Sequence, residues 1–112
     1  MKSDILLYFA TAIGSAAGCL QTVGSISNTD PRAPKLRTAY VIDNGKAVCD
    51  AARGVRDYSA HTWDVTCTQP YRLQVSKDGN AVWYTAPSGV FHWGHNFAAD
   101  QKLKDWNEWH FC

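Results

Sequence analysis

The chain contains one glutamate, Glu108, and one methionine, and its ten carboxylates nearly cancel its eleven Lys and Arg. With Lys2 and Asp4 set aside, residues 19–112 carry ten cations and nine carboxylates. No basic excess exists to condense on a phosphate backbone or an anionic membrane, so bulk charge does not drive binding to either. The cysteines form no C-x-x-C pair, which excludes zinc ribbons and thioredoxin-type redox chemistry. G-x-S-x-G, H-E-x-x-H and phosphate-cradling glycine loops are missing as well. Asn28 is followed by Thr29 and Asp30, so the chain has no glycosylation sequon. Beyond the first eighteen residues no apolar run is long enough to span a bilayer.

What is present begins with an export signal. Lys2 precedes the apolar run ILLYFATAIG, which gives way to Ser15, Ala16, Ala17 and Gly18. Charged, apolar and small segments in that order predict a signal peptide over residues 1–18, cut after Gly18. Cys19 then opens a single small domain over residues 19–112. Four cysteines in an exported chain allow three pairings; the expectation is Cys19 with Cys112, tying the ends, and Cys49 with Cys67. Closing loops of those lengths stabilises by about 4.5 and about 3 kcal/mol in the chain-entropy model. A bacterial lipoprotein box at Ala16–Cys19 is the rival reading, but it would leave one cysteine unpaired.

Residues 19–35 are polar and hold two of the four prolines, which predicts an extended arm rather than a packed element. Leu36–Ile42 reads as a strand. From Lys46 to Tyr58 the apolar positions Val48, Ala51, Ala52, Val55 and Tyr58 fall at helical spacing, with Gly54 as a weak point. Thr62–Cys67, Tyr71–Val75, Ala81–Thr85 and Val90–Trp93 alternate as strands of an antiparallel meander, and Ser76–Asn80 has hairpin chemistry. Leu103 and Trp106, three apart, predict a short C-terminal helix. The expected fold is therefore α+β: one main helix packed on a four- to five-stranded antiparallel sheet.

Two kinds of site residue stand out. Trp83 and Tyr84 are neighbours on one strand and must face opposite sides; together with Tyr71 and Trp93 they are the candidate binding aromatics. Acid and base chemistry would draw on the small pool formed by His61, Arg72, His92 and Glu108. His92 and His95 form an H-x-x-H pair, yet a strand would aim them apart, so no metal and no cofactor is expected.

In size and element order, residues 36–95 resemble the small fungal guanyl-preferring ribonucleases. That family uses a glutamate and a histidine on its sheet, and no glutamate lies in the sheet region here. More broadly, MKSDILLYFATAIGSAAG followed by Cys19, with Cys112 as the last residue, resembles the small secreted effectors of plant-associated fungi. Two effector groups share cysteines near both ends: a ribonuclease-like group with a helix on a sheet, and a β-sandwich toxin-like group. The period at residues 46–58 favours the first. The resemblance implies a secreted, monomeric, non-enzymatic binding protein and virulence factor that meets a host protein or RNA. It would act outside the producing cell or after entry into a host cell, without a membrane. A secreted ribonuclease and a cell-wall polysaccharide-binding module are the alternatives.

Overall fold

The computed structural model describes residues 19–112; the expected signal peptide lies outside the described residues. Among the described residues nine strands form two antiparallel sheets. The first sheet contains β1 (Leu20–Ser27), β2 (Lys35–Asp43), β3 (Lys46–Asp50) and β9 (Leu103–His110), in the order β3-β2-β1-β9. The second runs in sequence order through β4 (Val55–Ser59), β5 (Thr62–Val65), β6 (Arg72–Ser76), β7 (Ala81–Ala86) and β8 (Gly89–Gly94). One apolar core lies between them. Ile26, Val41 and Val48 from the first sheet join Val75, Val82 and Tyr84 from the second in a single buried cluster.

The meander over β5–β8 follows the expected alternation, whereas the expected main helix does not form. Among the described residues the only helical turn is a 3-10 turn at Ala51–Arg53, so the α+β expectation gives way to a two-sheet all-β fold. Local chemistry explains the change. The Asp50 carboxylate accepts from the Ala52 N–H and turns the chain, and Gly54 at φ 137° then forbids helical continuation. Val48 and Val55, which imitate a helical face, instead lie on two successive strands.

The N-terminal arm is also a correction. β1 is an interior strand, paired with β2 along one edge and β9 along the other. Its inward positions are Leu20, Thr22, Gly24 and Ile26, so a threonine and a glycine conceal the hydrophobic alternation. Gly24 is required by close approach: a Cβ there would run into the indole of Trp106, its cross-strand partner. The C-terminal helix is replaced by β9, whose inward positions are Lys104, Trp106, Glu108 and His110.

Both expected disulfides are present, Cys19–Cys112 and Cys49–Cys67. The second, reinforced by a β-bridge between the same residues and the Asp50 N–H to Thr66 carbonyl bond, joins the sheets along one side. Two disulfides point to a secreted or extracellular protein.

Candidate functional site

The five-stranded sheet has two faces of opposite character. Inward, Trp63, Val65, Leu73, Val75, Val82 and Tyr84 are buried. Outward, the register places Arg56 opposite Asp64, Asp64 opposite Gln74, Gln74 opposite Trp83 and Trp83 opposite His92. This row crosses all five strands, about 19 Å at the usual inter-strand spacing.

Four of the five members of the row are held in pairs. The Arg56 guanidinium donates through Nε (3.0 Å) and Nη2 (2.8 Å) to Asp64 Oδ2, which lets the carboxylate be nearly buried on an outer face. Trp83 and His92 stack at 5.4 Å with their planes 13° apart. Gln74 stands between the two pairs, and its Nε2 is buried without a partner. Arg72 reaches over the ring of exposed Tyr58, 5.6 Å from its centroid. At that end an open cavity of about 590 Å³ is lined by Arg56, Asp64, Thr66, Pro70, Tyr71 and Arg72. The face thus combines two guanidinium groups, a histidine and planar aromatic rings with one carboxylate.

Of the four candidate binding aromatics, Trp83 is on this face. Tyr84 is fully buried; its hydroxyl donates to Asp43 Oδ2 at 2.6 Å and is pushed well above the ordinary phenol range, first by burial and then by that bond and the Asp43 charge. Tyr71 stacks on Tyr84 (6.2 Å), and Trp93 packs on His110 (4.7 Å), so both belong to the interior and its margin.

The acid and base set does not assemble. Arg72 and His92 share the outer face, His61 sits in the exposed β4–β5 turn, and Glu108 lies on the inward side of β9. Glu108 does meet a histidine, but it is His95. His95 Nε2 lies 2.8 Å from Glu108 Oε1 and Nδ1 2.8 Å from the Gly79 carbonyl. A carbonyl and an ionised carboxylate both only accept. The two bonds therefore need an imidazolium, or a neutral ring facing a protonated Glu108. With both nitrogens engaged and its side chain 8% exposed, the ring offers no atom to a substrate. It fastens the end of β8 to β9 opposite the Cys49–Cys67 side, alongside the His95–Trp106 and Phe97–Trp106 contacts. His92 and His95 point to opposite sides of the sheet and do not share a ligand.

Arg56, Asp64 and Gln74 were not singled out in the sequence. Their only signal is position: Asp64 and Gln74 occupy the polar phase of strands whose other phase is apolar, and Arg56 of β4 lies opposite Asp64. No protein-family model, curated protein or solved structure matches the chain.

Proposed function

We propose that the mature chain is a secreted, non-enzymatic binding protein, a fungal effector acting on a host protein or RNA through the outer face of its five-stranded sheet. The observation that carries this reading is the row Arg56–Asp64–Gln74–Trp83–His92. It is a continuous strip of planar charged, amide and aromatic groups on the side of the sheet away from the buried core. Stacked aromatics beside arginines suit exposed bases and acidic protein surfaces alike. Dispersal of the acid and base residues supports binding over hydrolysis, because general acid–base catalysis needs its groups within reach of one substrate atom. Two sheets closed by cysteines at both chain ends also agree with the β-sandwich toxin-like effector group better than with the ribonuclease-like one.

The test is retention of a host partner by the immobilised mature chain. Arg72→Ala combined with Trp83→Ala should abolish retention while lowering the melting temperature by no more than about 10 °C. Equal retention by that variant would sink the proposal. Hydrolysis of RNA by the purified protein, lost in Glu108→Gln, would replace it with an enzymatic one. Capture on insoluble polysaccharide, lost in Trp83→Ala, would move the partner to the cell wall.

A further inference from the structure

The pole of the molecule formed by the β1–β2, β4–β5, β6–β7 and β8–β9 connections holds a separate cleft of about 460 Å³. Its wall includes Lys104, which is 2% exposed. Lys104 is inward on β9, opposite Ile26 of β1, and its ammonium donates to the Asp78 carbonyl at 3.2 Å. No second hydrogen bond from this ammonium is present among the described residues. A lysine ammonium has three donors, and withdrawing it from water is costly unless they are used. The Asp78 carboxylate, which feels the Lys104 charge, already accepts through Oδ1 from Ser76 Oγ (2.6 Å) and the Asn80 N–H (2.9 Å).

With Lys104 included, the cations lining the cleft outnumber the carboxylates by one. Lys77 and Arg32 also line it, with His61 at the rim, against two carboxylates, Asp57 and Asp78. Lys77 is paired with Asp57 at 2.8 Å, and Arg32 with Asp30, which is outside the lining, at 3.4 Å. Of the three cations Lys104 is the most deeply buried, and two of its three ammonium donors have no partner among the described residues.

We infer that this cleft is a binding site for a small oxyanion, the phosphate or carboxylate group of a ligand, with Lys104 as its principal contact and Arg32 closing over it. The ligand oxygens would take the two ammonium donors that the fold leaves over, inside a cavity of the size that small-molecule sites have. The site is independent of the outer sheet face and would stand if that reading failed.

Titration of the 15N-labelled mature chain with inorganic phosphate and with acetate, against chloride at constant ionic strength, tests it. The expected result is saturable amide shifts at the cleft, around Asn28, His61, Asp78 and Ala99, for at least one of the two. Which anion saturates at the lower concentration identifies the group recognised. Lys104→Met should weaken that binding about tenfold or more, the loss of one charge-assisted hydrogen bond. It should also melt no lower than the parent, since an apolar chain of similar length removes a buried charge. Arg32→Gln, at an exposed position, should weaken binding a few-fold without touching the fold. Shifts that fail to saturate for either anion, or saturation unchanged in Lys104→Met and Arg32→Gln, would overturn the inference. A large loss of stability in Lys104→Met would do so too, because it would make the lysine a structural strut.

Discussion

Trp83 and Tyr84 are adjacent in the chain and occupy opposite environments. Tyr84 is sealed between the sheets, its ring against Tyr71 and Phe91 and its hydroxyl on Asp43. Trp83 lies on the outer face against exposed His92. The same contrast runs through β5, β6 and β7: inward positions are apolar and buried, while outward positions belong to a polar and aromatic strip. The inner face explains why the protein folds and contributes nothing a partner can reach. The outer face adds little to stability, and so its composition is free to serve recognition.

Substitutions on the two faces should separate these roles. Trp63→Ala, on the inner face, should cost about 3–5 kcal/mol in urea denaturation by emptying the space under β5. A loss below 1 kcal/mol would show that the core is not where the buried cluster places it. Tyr84→Phe should cost about 1 kcal/mol, the value of one buried hydrogen bond. It should also change the alkaline limb. Because the folded pKa of Tyr84 is raised, its contribution is complete below the unfolded value of 10.0 and declines as pH rises above it. The parent should therefore lose stability above about pH 10 more steeply than Tyr84→Phe, as read by melting temperature against pH.

At the β6–β7 hairpin the sign reverses. The Ser76 hydroxyl holds the Asp78 carboxyl below its ordinary value of 3.8, and that stabilisation is present above this value and lost as pH falls below it. Asp78→Asn should lose part of that stabilisation at neutral pH and flatten the acid limb below about pH 4; an unaltered acid limb would contradict the assignment. The smallest effect on folding belongs to the outer face. Arg72→Ala and Trp83→Ala should each cost about 1 kcal/mol or less.

What could be read from sequence divides along the same line. The meander over β5–β8 was legible because Trp63 and Val65, Leu73 and Val75, and Val82 and Tyr84 carry large apolar groups in one phase. β1 was hidden because two of its inward positions are Thr22 and Gly24, the latter kept small for the Trp106 indole. β9 was hidden because Lys104, Glu108 and His110 occupy inward positions that a polarity pattern assigns to solvent. β3 and β4 imitated a helix because Val48, Ala51, Ala52 and Val55 happen to fall at its period across a 3-10 turn. The Trp83 site could be foreseen from strand alternation alone. The His95–Glu108 bond could not, since it depends on two edge strands meeting across the core.

The outer face as the recognition surface is tested most directly by the double variant Arg72→Ala, Trp83→Ala, measured at once for melting temperature and for retention of a host partner. The account predicts a melting temperature lowered by no more than about 10 °C, the equivalent of less than about 2 kcal/mol in a domain of this size, with retention abolished. Retention equal to that of the parent chain, in a variant that still folds, would contradict it.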